Sequence, residues 1–101
     1  MRSWSTVRIV GPSMEPALRN GDWWIVRPAR RIRPGHVVAF PHPGRPELLV
    51  VKRVVRREGD GWWVEGDDPG TSEDSRAFGA VPEDSLRGVL WLRYRRGVGG
   101  P

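Results

Sequence analysis

Apolar residues along this chain come in short runs, each broken within a few residues by Gly, Pro or a charged group. The pattern has the period of strands rather than helices. Trp4 to Val10 alternates loosely and ends at Gly11-Pro12, which predicts a strand entering a tight turn. Ser13 to Asn20 reads as a turn or a single helical turn, with Pro16 at its opening and Asn20-Gly21 at its close. Asp22 to Arg27 is a short strand of aromatic and β-branched residues. A basic loop, Pro28 to Gly35, leads to a strand from His36 to Phe40, halted by Pro41-His42-Pro43-Gly44. Leu48 to Arg57 is the longest strand expected. It turns through Glu58-Gly59-Asp60-Gly61 into a returning strand, Trp62 to Glu65. Gly66 to Gly79 is a polar loop of 14 residues, and loops of that length are usually functional or disordered. Val89 to Tyr94 closes the set, and 97–101 reads as a frayed tail. No internal repeat is present. The expectation is an all-β, barrel-like fold, a partly open barrel of short strands with long loops.

Composition bounds this picture. The chain has 101 residues, enough for one small domain over residues 1–96 with a flexible tail at 97–101. Hydrophobic residues make up 38% and six are Trp, which supplies a modest but real core. Thirteen Gly and ten Pro disfavour long helices. No Cys is present, so disulfides, thiolate nucleophiles and Cys-based metal sites are excluded. No stretch approaches the roughly 18 apolar residues that span a bilayer, and Met1 to Val10 lacks the apolar segment of a signal peptide. The expectation is a soluble, cytoplasmic protein without an integral membrane anchor. The net charge is +5, with clusters at Arg30-Arg31, Arg56-Arg57 and Arg95-Arg96. No recognition motif accompanies the charge, so these read as solvated faces and nucleic acid is not the expected partner.

The charge also contains an anomaly. Seventeen residues are Lys or Arg, and Lys52 is the only lysine. Arg stays protonated in proteins, whereas a buried Lys loses its proton and then serves as a base. Lys52 lies among Val50, Val51, Val54 and Val55, whose apolar surroundings disfavour the ammonium. A base needs a nucleophile, and Ser13 in Gly11-Pro12-Ser13-Met14-Glu15-Pro16 is well placed for one. It follows a strand, at a turn where Gly lets a backbone approach and Pro fixes the entry direction. Each has a plainer alternative: Ser13 as an ordinary turn serine, Lys52 as a solvent-facing strand residue. His36 and His42 offer a Ser-His arrangement, but one begins an apolar strand and the other sits between prolines.

Three segments then stand in order: Ser13-Met14-x-Pro16-x-Leu18, Lys52-Arg53, and Gly66-Asp67 followed by Ser72-x-Asp74-Ser75-Arg76-x-x-Gly79-x-Val81-Pro82. Together they resemble the type I signal peptidase family of Ser/Lys endopeptidases, over Val10 to Pro82. The resemblance implies a compact signal-peptidase-like catalytic core and a role at each matching position. Ser13 would be the acylating nucleophile and Lys52 the general base. Ser72 would orient the lysine, and Asp74 with Arg76 would form a supporting pair. Met14 would pack beside the nucleophile on the substrate side. It implies no metal or cofactor, and Glu65, Asp67 and Asp68 lack His or Cys partners to hold one.

The chain departs from the family pattern in places. Ala17 stands where Thr is frequent, and Asp68 where Asn is. Gly11 occupies a position at which some members carry a Ser that donates to the oxyanion, so oxyanion support is expected from the backbone at Gly11 and Ser13. The sequence as read has no room for the membrane anchor and extra β domain of typical members. That pattern resembles the soluble maturation proteases of nickel-type superoxide dismutase, which implies the leader peptide of a precursor protein as substrate. Two other readings remain at this point. One is a self-cleaving protein of the SOS-repressor type. The other is a non-enzymatic basic β-barrel that binds peptide or nucleic acid, a role that exposure of Trp23, Trp24, Trp62 or Trp63 would favour. Oligomeric state is not legible in the sequence.

Overall fold

Strand-forming runs pair into one antiparallel sheet in the computed structural model, which describes residues 3–97. The elements are β1 (Ser5–Arg8), β2 (Trp23–Arg27), β3 (Val37–His42), β4 (Arg45–Glu58), β5 (Gly61–Glu65), α1 (Ser75–Phe78), β6 (Val81–Pro82), a single 3-10 turn (Glu83–Ser85) and β7 (Gly88–Arg95). The seven strands lie in the order β1-β2-β7-β3-β4-β5-β6. Its two end strands, β1 and β6, do not pair with each other, so the sheet stays open, an all-β arrangement with little helix.

β3 sits near the middle and is buried on both faces. Successive side chains of a strand point to opposite sides. Val38 and Phe40 accordingly enter one apolar cluster with Val54, Trp62, Val64, Val81, Leu86 and Val89. Ala39 enters the other, with Ile9, Met14, Leu18, Val26 and Leu90. The strand also runs past Phe40, through Pro41 to His42. Proline cannot donate to a ladder, but β7 flanks β3 only at Val38 and Ala39, so Pro41 lies beyond that pairing.

β4 positions the site. Its first half pairs with β3, from Arg45↔His42 to Arg53↔Val37, while β5 pairs only from Arg53 to Glu58. Among the described residues, the stretch 45–52 therefore has no strand on its β5 side. Lys52 lies at the end of this uncovered stretch, on the face it shares with Val50 and Val54.

Four tryptophans singled out above as potential binding surface are not exposed: Trp62 is in the core and Trp23, Trp24 and Trp63 are half-buried. Trp4 and Trp91 are exposed instead and pack edge to face, with ring centroids 5.3 Å apart. Gly97 is tied down, its N–H donating to Asp22 Oδ1 at 2.7 Å, and the rest of the expected tail lies outside the described residues.

Candidate active site

The turn after β1 holds Ser13 from two directions. Gly11 adopts φ +86°, in the left-handed region that favours glycine, and its N–H donates to Asn20 Oδ1 at 2.9 Å. The segment then folds on itself through Glu15 N–H to Pro12 O (3.0 Å) and Leu18 N–H to Met14 O (2.9 Å). From the other side, Asp68 N–H donates to the Ser13 carbonyl at 2.9 Å. Gly66 lies against the same carbonyl. A Cβ placed there would stand 2.1 Å from Ser72 Oγ and 2.8 Å from Ser13 O, so this position admits only hydrogen.

Lys52 reaches Ser13 from β4. Its Nζ lies 3.0 Å from Ser13 Oγ, in hydrogen-bond contact, across 39 positions of sequence. The residue is only 5% exposed. Burial disfavours its ammonium and lowers its pKa, against the opposing pull of the Asp74 and Glu73 carboxylates, and the Arg76 cation lowers it further. A buried amine whose pKa is lowered, touching a serine hydroxyl, is the arrangement a neutral general base requires.

The loop after β5 carries the support. Asp74 is 1% exposed and caps α1, its Oδ1 accepting from Arg76 N–H at 3.1 Å and Arg76 Nε at 3.0 Å. Its Oδ2 accepts from an Arg76 terminal nitrogen (2.6 Å), Gly66 N–H (2.8 Å) and Ser72 Oγ (2.9 Å). Burial works against this charge, but the Arg76 guanidinium, two backbone N–H groups and the Ser72 hydroxyl outweigh it. They hold the carboxyl well below the usual carboxylate range. Ser75 ties the loop to β5 by accepting from Val64 N–H at 2.8 Å. Arg53 Nε and a terminal nitrogen grip Asp67 at 2.9 and 2.8 Å, fixing the start of the same loop to β4.

Ser13 and Lys52 border a cavity of about 420 Å³. One wall is the segment 7–14, another is β4 from Leu48 to Lys52, and His42, Thr71 and Glu73 complete it.

The structure thus brings Ser13 and Lys52 together, and Ser72, Asp74 and Arg76 into one network beside them. Some expected roles change. Ser72 bonds to Asp74, so its bearing on Lys52 passes through that carboxylate. Gly11 does not offer a free oxyanion donor, because Asn20 takes its N–H. Among the described residues no acceptor takes the Ser13 N–H, which remains available. Met14 is 2% exposed and packed among Ile9, Leu18 and Val26, and it lines the cavity next to Ser13, so it serves the core and the cavity wall at once. His42 borders the cavity but pairs with Glu73, and the Nδ1 of His36 accepts from Arg33 N–H. Sequence reasoning gave no role to Gly66, Asn20, Ser75 or Glu73. Of these Gly66 and Ser75 carried a signal as fixed positions of the third motif, and Asn20 as the close of the serine turn.

Comparison with known proteins decides the family. Residues 3–78 match the peptidase S24-like family. The chain belongs to it. Relatives of this peptidase S24-like chain include mitochondrial inner membrane protease subunit 1 of Xenopus tropicalis, 33% identical over 82% of this chain. Subunit 2 of Mus musculus is 33% identical over 83%, and subunit 1a of the Arabidopsis thaliana mitochondrial ATP-independent inner membrane protease is 31% identical over 88%. The match spans 64%, 65% and 69% of those proteins respectively, so for the first two the shared region is just under two thirds of the relative. Membership agrees with the signal-peptidase resemblance carried by the motifs. No helix among the described residues is long and apolar enough to cross a membrane.

Proposed function

We propose that this chain is a serine endopeptidase that removes an N-terminal leader from a precursor protein, with Ser13 as nucleophile and Lys52 as general base. The observation that carries this reading is the 3.0 Å contact between a buried lysine amine and a turn serine. In the proposed cycle, neutral Lys52 takes the Ser13 proton as Oγ attacks the scissile carbonyl. The Ser13 N–H is the backbone donor on hand for the developing oxyanion. Protonated Lys52 returns the proton to the leaving amine, then activates the water that hydrolyses the ester.

The uncovered edge of β4 suits an extended peptide, which would lie in the cavity as an added strand. The Asp74 network is the support that keeps the lysine and the serine turn in register. Nickel superoxide dismutase precursor is the substrate we favour within the leader class, on the resemblance of the motifs to that maturation branch. The cytoplasm is the location that goes with it.

The test is incubation of the chain with leader-bearing precursors, read by intact mass. The parent cuts at one site. Ser13→Ala and Lys52→Met each lower the rate by on the order of 10³-fold or more while far-UV circular dichroism is unchanged. Equal cleavage by a folded Ser13→Ala chain overturns the assignment. Conversion of the pure protein into two fragments would instead support the self-cleaving reading.

A further inference from the structure

One carboxylate on the cavity wall is built with more support than the mechanism above uses. Glu73 is the single acidic residue among those described around the cavity, and its side chain is 65% exposed. Its Oε1 pairs with His42 Nε2. That imidazole is in turn fixed twice. Gly44 N–H donates to its Nδ1 at 3.0 Å, and the Phe78 ring packs edge-on with centroids 5.3 Å apart. Because Nδ1 accepts, the proton of a neutral ring sits on Nε2 and is donated to Glu73. The ring holds the carboxylate in one orientation without cancelling its charge. Among the described residues no partner takes the second oxygen of Glu73. Much of the remaining wall is apolar, with Val10, Leu48 and Leu49 exposed along it. The cavity's own cations are Arg8 on the β1 wall and Lys52, whose ammonium the Glu73 carboxylate favours but which works as a neutral amine.

A fixed, open carboxylate in an apolar groove is a receptor for an ammonium or guanidinium group. We propose that Glu73, held by His42, is a specificity-determining residue that selects substrates carrying a Lys or Arg side chain close to the bond that is cut. The inference rests on the peptidase reading above and adds the chemistry of the substrate.

Peptide binding tests it apart from catalysis. In a Ser13→Ala background, fluorescein-labelled extended peptides are compared in which each position in turn is Lys, Ala or Glu, and anisotropy gives the affinities. The expected result is one position at which Lys exceeds Glu by about tenfold, the gain of one charge-assisted pair together with the loss from one repulsion. Glu73→Gln flattens that preference and Glu73→Lys inverts it. The same ranking with Glu73 and with Lys at position 73 overturns the proposal, as does failure to bind any of the peptides. Cleavage of the preferred peptide is then measured with Ser13 restored. Charge-selective binding without cleavage sinks the peptidase reading and leaves this site standing. Cleavage whose charge ranking ignores Glu73→Lys sinks the site and leaves the peptidase reading.

Discussion

Lys52 is the residue at which the basic composition of this chain gives way to chemistry. An arginine in its place would carry a permanent charge into a nearly closed apolar setting. Lysine alone lets that charge be lost, and the cost of burying it shows in stability. Its pKa lies below the ordinary 10.5, chiefly through burial. Above pH 10.5 neither folded nor unfolded chain holds the proton and there is no cost. Below the folded value the unfolded chain binds a proton that the folded chain takes up only at a penalty, and the full destabilisation is present there. Lys52→Met therefore melts a few degrees higher than the parent at pH 7, with the gap closing as pH approaches 10.5. Calorimetry across that range checks the prediction, and a lower melting temperature at pH 7 contradicts it. The same shift orders the kinetics. Cleavage rises as pH climbs through the lysine pKa. Glu73→Gln removes a carboxylate that favours the ammonium, so the acid limb moves to lower pH. An acid limb that stays fixed in the variant argues that the field of Glu73 does not reach the base.

Among the elements, the loop from Gly66 to Asp74 does the most with the least regular structure. Its composition reads as an acidic, Ser-rich loop, yet Asp74 is among the most buried side chains and Gly66 lies against both the serine turn and Ser72. Gly66→Ala forces a methyl into backbone and hydroxyl, which costs about 1–3 kcal/mol in strain. It displaces Ser72 and Ser13 together. The expected outcome is a folded chain with a modest drop in melting temperature and a loss of cleavage out of proportion to it. An active variant means the loop does not set the geometry of the serine turn.

The strands were legible because alternating apolar positions and Asp-Gly or Pro-Gly turns are local signals, and β2, β5 and β7 fall within a residue or two of their expected bounds. The partners of Gly11 and Asp74 were less so. A hydrogen bond from Gly11 to Asn20 leaves no mark in either residue's neighbours. β6 is only Val81–Pro82, too short to show a period, and β3 runs through Pro41 because its flanking strand has already ended. Ser72 was legible as a member of the site but not as a ligand of Asp74.

At the scale of the whole molecule, the two apolar clusters share one central strand. Val38 and Phe40 point into one and Ala39 into the other, so neither cluster survives the loss of β3. Thermal unfolding is accordingly expected to be a single transition, with far-UV dichroism and Trp emission coincident. Phe40→Ala lowers stability by about 3–5 kcal/mol and shifts both probes together. Two separated transitions would mean that the clusters fold as independent units. This unity is also what lets the site exist, since its serine turn follows β1 at one edge of the sheet while its lysine comes from β4 beyond the centre.

The central claim is that Lys52 acts by giving up its charge. The measurement that tests it most directly is leader cleavage by Lys52→Arg, followed by mass against the parent chain under identical conditions. Arginine preserves length and charge but cannot deprotonate. The account predicts a folded protein with no cleavage at any pH up to the alkaline limit of stability. A Lys52→Arg chain that cuts the precursor at the parental site and rate contradicts it.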